Sequence, residues 1–98
     1  MTESQYQAQL VKKLYRLFPG CFIQKNDPKT TQGIPDLVIF FGKYWAMLEV
    51  KISATAKERP NQRYYVDMLS EMSFAAFIFP ENEEDVLYEL QLALRSVR

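Results

Sequence analysis

Between Gly33 and Ile52 the chain carries two apolar segments joined at Gly42-Lys43, with its charges confined to one end of the pair. A glycine in the first loop position suits a two-residue type II′ turn, which would pair Phe41 with Tyr44. Counting back from that turn, Phe40 faces Trp45, Val38 faces Met47, and Asp36 faces Glu49. Directly opposed residues hold their Cβ atoms about 4.5–5.5 Å apart. Lys51, two positions beyond Glu49, projects from the same face. The other face carries Leu37, Ile39, Phe41, Ala46, Leu48 and Val50. Apolar residues therefore dominate both faces, as in strands covered on each side.

That register sets two carboxylates against each other. Like charges directly across strands are destabilising, and the low dielectric of a covered sheet raises the penalty. A salt-bridged structural triad with Lys51 is one resolution, although buried ion pairs stabilise poorly compared with apolar replacements. A bound divalent cation, with Lys51 left for substrate charge, accounts for the arrangement better.

Composition narrows the chemistry. The 98 residues contain no histidine and one cysteine, Cys21. An internal disulfide, a cysteine-cage metal site and His-based acid–base catalysis are thereby excluded. Any metal must be a hard cation on oxygen ligands, Mg²⁺ or Mn²⁺ before others. Twelve basic and twelve acidic side chains cancel to a formal net charge of zero, so a nucleic-acid partner requires local clustering of charge. The 48% hydrophobic content predicts one packed globular domain over residues 1–98. With no signal peptide and no apolar run of transmembrane length, a soluble cytoplasmic protein without membrane contact is expected.

The remaining chain supplies the frame. Thr2 to Gln5 has capping-box form, and Tyr6, Leu10, Leu14 and Leu17 predict a helix from about Glu3 to Phe18. Glu3 is either an acid favoured by the helix dipole or a carboxylate delivered to the end of the sheet. Cys21 to Asn26 reads as a short strand, followed by a polar loop up to Gly33. Lys25 and Lys29 are phosphate-contact candidates there, against the alternative of a solvated loop. Pro60 is placed for a first helical turn, and Tyr65, Met68, Leu69 and Met72 predict a second helix over Pro60 to Met72. Gln62 shares its inward face, where it binds water or backbone or merely caps. Lys57, Arg59 and Arg63 cluster nearby as further phosphate candidates, or as a solvated charge run. Phe74 to Phe79 reads as a fourth strand stopped by Pro80. Asn82 is expected to cap a last helix with Val86, Leu90, Ala93 and Val97 inward and Glu83, Glu84 and Asp85 in its first turn. The expected fold is α/β in the order αβββαβα: a three-stranded antiparallel meander plus a fourth strand in one mixed sheet flanked by helices.

Taken in this order, Glu3, Pro35-Asp36, Glu49-Val50-Lys51 and Gln62 resemble the constellation of the PD-(D/E)XK (restriction-endonuclease-like) nuclease superfamily. More narrowly, Gly33-Ile34-Pro35-Asp36-Leu37, Leu48-Glu49-Val50-Lys51 and Arg59-Pro60-Asn61-Gln62 are similar to the VRR-NUC family, whose small stand-alone members resemble phage and bacterial enzymes acting on branched DNA such as Holliday junctions. The resemblance implies Mg²⁺ held by Asp36, Glu49 and the Val50 carbonyl, with Glu3 assisting directly or through water. It implies that Lys51 orients or deprotonates the attacking water, that Gln62 supports the site, and that hydrolysis leaves a 5′-phosphate. It requires no small-molecule cofactor. Larger relatives carry extra DNA-binding regions that this neutral chain lacks, so a symmetric homodimer is expected. The alternatives are a non-catalytic nucleic-acid-binding module and an exonuclease or restriction-type nuclease with the same site.

Overall fold

A computed structural model describes residues 1–95. The elements are α1 (Glu3–Leu17), β1 (Phe22–Lys25), β2 (Leu37–Phe41), β3 (Tyr44–Val50), α2 (Gln62–Met72), β4 (Phe74–Ile78) and α3 (Glu83–Arg95). This is the expected αβββαβα order. The four strands form one sheet in the order β1-β2-β3-β4, antiparallel between the first three and parallel between β3 and β4. A parallel pair needs a crossover, and α2 supplies it.

The hairpin takes the register that its turn dictates. Gly42 adopts φ +62° while Lys43 keeps a negative φ, the combination of a type II′ turn. Phe41 pairs with Tyr44, Phe40 with Trp45 and Val38 with Met47. Regular pairing ends at Leu37 and Leu48, because Pro35 offers no N–H to continue the ladder.

One sheet face lies under α1 and α3. Leu10, Leu14 and Phe18 meet Leu37, Ile39, Leu48 and Val50 there, all essentially inaccessible. Arg95 closes this layer by donating to the Leu17 carbonyl, with its guanidinium 5.0 Å from the Phe18 ring centroid. The other face lies under α2 alone, with Val66 and Leu69 against Ala75. The first helix opens on the expected capping box, Thr2 Oγ1 accepting from Gln5 N–H at 3.1 Å and Gln5 Oε1 from Thr2 N–H at 2.9 Å.

Three details differ from the expected pattern. The second helix begins at Gln62 rather than Pro60, because Arg59 to Gln62 forms a turn of its own. Asn61 sits at φ 69°, ψ −4° and Gln62 N–H donates to the Arg59 carbonyl at 3.2 Å, so Pro60 and Asn61 occupy the central positions of a type II turn. The buried positions of α2 are consequently Gln62, Val66 and Leu69, and Met72 is exposed. In α3 the buried stripe is Val86, Leu87, Leu90 and Leu94, with Ala93 half-buried; Val97 lies outside the described residues. Finally, the Asn82 side chain is spent on the end of β4. Its Oδ1 accepts from Phe79 N–H at 2.9 Å and its Nδ2 donates to the Phe77 carbonyl at 3.0 Å. Glu83 binds back to α1 through Tyr6 Oη, at 2.8 Å, and Lys13. Its charge, after burial, lifts the Tyr6 phenol well above its usual range.

Candidate active site

One step beyond the last regular pair brings Asp36 opposite Glu49. With the ladder interrupted at Pro35, Val50 N–H donates instead to Asp36 Oδ2 at 2.9 Å. An extended residue points its N–H and C=O to the same side, so the Val50 carbonyl also opens toward Asp36. The Asp36 backbone is pinned from the other direction, its carbonyl accepting from Asn26 N–H at 2.8 Å while Asn26 Nδ2 donates to the Pro35 carbonyl at 2.9 Å. Asp36 is thus fixed between β1 and β3.

Glu49 is only 2% exposed. Its Oε2 accepts from Gln62 Nε2 at 3.0 Å, and its Oε1 is buried without a hydrogen-bond partner. The amide of Gln62 is oriented by a second bond, Oε1 accepting from Arg59 N–H at 2.8 Å, so its NH₂ can only face Glu49. Burial pushes the Glu49 carboxyl up to about 9. The nearby charge of Asp36 adds to the rise, Lys51 opposes it, and Glu3 contributes least. Removing the Gln62 amide should leave Glu49 Oε2 and Arg59 N–H both unpaired. We expect Gln62→Leu to lower stability by about 1–3 kcal/mol, read from thermal melts.

Lys51 is 6% exposed, and its Nζ donates to the Lys57 carbonyl at 3.1 Å. The ion pairs among the described residues are Lys13–Glu83 and Arg63–Glu58, so Lys51 is bonded to neither carboxylate. The salt-bridged triad is not what the fold builds. Glu3 sits exposed at the start of α1. Among the described residues, no three His, Cys, Asp or Glu side chains come together in a way that could hold a metal ion. Asp36, Glu49 with its unpartnered Oε1, and the Val50 carbonyl are the oxygens at this end of the sheet that could hold a hard divalent cation. An all-oxygen set with only two carboxylates fits Mg²⁺, which keeps several waters and substrate oxygens.

The cationic candidates divide. Lys29 and Arg59 line a cleft of about 380 Å³ that also holds Asp36 and Gln62. Lys25 borders an adjoining depression of about 300 Å³ with Asn26 and Thr30. Lys57 is exposed, and its backbone serves Lys51. Arg63 pairs with Glu58 and lies 4.3 Å from the ring centroid of Phe77, the β4 partner of Glu49.

Gly33 opens the Gly33–Leu37 motif, and its role is visible only in three dimensions. It holds φ +89°, and a Cβ there would come within 2.6 Å of Asn61 Cβ and 2.8 Å of the Pro60 carbonyl oxygen. The loop before Asp36 is therefore seated directly on the turn that orients Gln62. The signal available in the sequence was the Pro60-Asn61 pair, a type II turn dipeptide.

The fold has a counterpart among solved structures. The fold is similar to that of an archaeal Holliday junction resolvase. The match is to the 1.6 Å structure of Hjc from the hyperthermophile Archaeoglobus fulgidus, with a TM-score of 0.54 and 14% identity over 78% of this chain and 67% of that one. At such identity the likeness is one of fold. No protein-family model matches the sequence, and no curated protein matches it. Among the described residues no helix is long and apolar enough to cross a membrane.

Proposed function

We propose that this chain is a divalent-metal-dependent DNA endonuclease of the PD-(D/E)XK superfamily, of VRR-NUC type, selective for branched DNA and working as a homodimer. The observation that carries the reading is the half-buried Asp36 opposed to the buried Glu49 on one sheet face, with Lys51 beside them and bonded to neither. A module built only to bind nucleic acid gains nothing from setting Asp36 against the buried carboxylate of Glu49. The resolvase fold of the structural neighbour agrees with branched DNA as the substrate class.

Asp36, Glu49 and the Val50 carbonyl would hold Mg²⁺ or Mn²⁺, with Glu3 adding negative charge from the helix start. Bound there, the ion supplies Lewis acidity at the phosphoryl group and makes water a stronger acid. Gln62 holds Glu49 in place, and the Lys57 carbonyl holds the Lys51 ammonium. Lys51 stabilises the negative charge that grows on the phosphoryl oxygens and orients the attacking water. Water adds to phosphorus, the bond to the 3′ oxygen breaks, and the products are a 5′-phosphate and a 3′-hydroxyl. Lys29 and Arg59, on the cleft walls, contact the flanking backbone phosphates, with Lys25 further along the same strand.

The test is a panel of four-way junction, flap, single-stranded and duplex DNA with Mg²⁺, Mn²⁺ or EDTA. Junction cleavage that EDTA abolishes is expected, with Lys51→Ala slower by roughly 10²–10³-fold. Undiminished cleavage by Lys51→Ala would refute its role. Metal-independent binding without cleavage of any substrate would favour the binding-module alternative.

A further inference from the structure

The side of the sheet that carries Asp36 and Glu49 is only half covered. Its one helix, α2, is packed over β3 and β4. On the remaining half, the register sets Phe22 opposite Phe40 and Phe40 opposite Trp45, an aromatic row across three strands. The Phe22 and Phe40 rings stack with centroids 6.1 Å apart. Phe22 is 59% exposed, Phe40 43%, and Met72, at the end of α2, 65%.

These three side chains leave on the order of 300 Å² of apolar surface in water, given the 150–250 Å² that a large aromatic can bury. Two copies laid together would remove roughly 600 Å² from these residues alone. The half-buried Trp45 and Met68 extend the contact toward the ~1,000 Å² at which specific interfaces begin.

Charge selects the occupant. Along this face of β1, β2 and β3 the side chains are Phe22, Gln24, Val38, Phe40, Trp45 and Met47, none of them charged, until Glu49 is reached. The solvent side of α2 adds the exposed Asp67 and Glu71. A polyanion needs lysines and arginines to release its counterions, and this half of the face has none. Lys29 and Arg59 lie instead at the cleft. Phe40 stands four residues from Asp36, about 13 Å along the strand, so the row can be covered while the cleft stays open.

We propose that the Phe22–Phe40–Trp45 row, together with the exposed Met72 at the end of α2, is the self-docking surface of a two-fold homodimer. A flat, uncharged patch suits an isologous contact, in which each copy presents the same surface to the other. The inference rests on the dimeric part of the function proposed above, and it supplies the location.

Sedimentation velocity on the full chain tests it. Wild type should sediment as a dimer at assay concentrations. Phe22→Glu and the milder Phe22→Ser/Met72→Ser should weaken self-association by about a hundredfold, as loss of an interface anchor does. Both change exposed side chains, so circular dichroism should be unaltered, and melting should fall only by the concentration-dependent part that dimerisation adds to the wild type. Tyr88→Glu, on an equally exposed aromatic of α3, should remain dimeric. A monomeric wild type that cuts junctions would overturn the docking surface and leave the nuclease reading standing. A dimer dispersed by these substitutions but inert toward every DNA would do the reverse. Variants that stay dimeric would also overturn the proposal.

Discussion

In EDTA at pH 8, Glu49→Gln protein is expected to melt above wild type while cutting no DNA. The reason lies in the Glu49 carboxyl, which burial and Asp36 lift from an ordinary value of 4.5 to about 9. A group whose folded pKa is raised contributes stability that is complete below the unfolded value and is lost as pH rises through the folded one. Between these limits the folded protein holds one more proton than the unfolded chain. The metal-free protein should therefore lose up to about 1.4 kcal/mol per pH unit. From pH 6 to pH 8 the loss is on the order of 2 kcal/mol, or roughly 10 °C in Tm for a domain this small. Glutamine keeps an acceptor for Gln62 and cannot ionise, so the variant's Tm should be nearly level over that range.

Divalent cations should act in the opposite sense. A ligand that binds only the folded state stabilises it, and carboxylate ligands must first be deprotonated. Mg²⁺ should then raise the wild-type Tm more at pH 8 than at pH 6, and leave Glu49→Gln unmoved. The cost in activity should exceed the roughly 10–100-fold that follows loss of an outer partner at a metal site. Thermal melts of both proteins at three pH values, with EDTA and with Mg²⁺, decide the matter. A wild-type Tm that is flat from pH 6 to pH 8 in EDTA would contradict the assignment of Glu49.

The difference between what was legible in the chain and what was not follows contact range. The hairpin register was readable because Gly42-Lys43 is a local device: one residue of positive φ fixes every pair behind it. The capping box is equally local. Asp36 opposite Glu49 came from that register, and the identities of Lys51 and Gln62 came from the motif around them. The partners that hold these side chains were not readable. Lys51 reaches a backbone carbonyl, at Lys57, that any residue could provide. Gln62 spends its oxygen on Arg59 N–H because Pro60-Asn61 folds as a turn before the helix begins. The same shift moves the inward face of α2 to Val66 and puts Met72 in solvent. The spatial neighbours of Arg63, Glu58 and Phe77, were equally invisible along the chain.

Gly33→Ala is expected to damage the site from a distance, without touching a carboxylate. The substitution places a methyl group 2.6 Å from Asn61 Cβ, 2.7 Å from the Asn61 carbonyl carbon and 2.8 Å from the Pro60 oxygen. Two of these atoms are backbone, which cannot rotate aside as a side-chain tip can. The residue must also hold φ +89°, a left-handed conformation that costs an L-residue about 1–2 kcal/mol. Overpacking adds about 1–3 kcal/mol. The segment that gives way is the Arg59–Gln62 turn, and with it the 3.0 Å bond from Gln62 to Glu49. Activity per folded molecule should fall roughly 10–100-fold, as expected when an outer-shell partner is displaced. Adding Asn61→Gly removes the nearest of the three contacts and suits the φ of 69° at that position. The double variant should recover part of the stability and activity, because the contacts to the two backbone atoms persist. Melting temperatures and single-turnover rates for the single and double variants check this. Full activity in Gly33→Ala would show that the loop and the turn are not coupled through this contact.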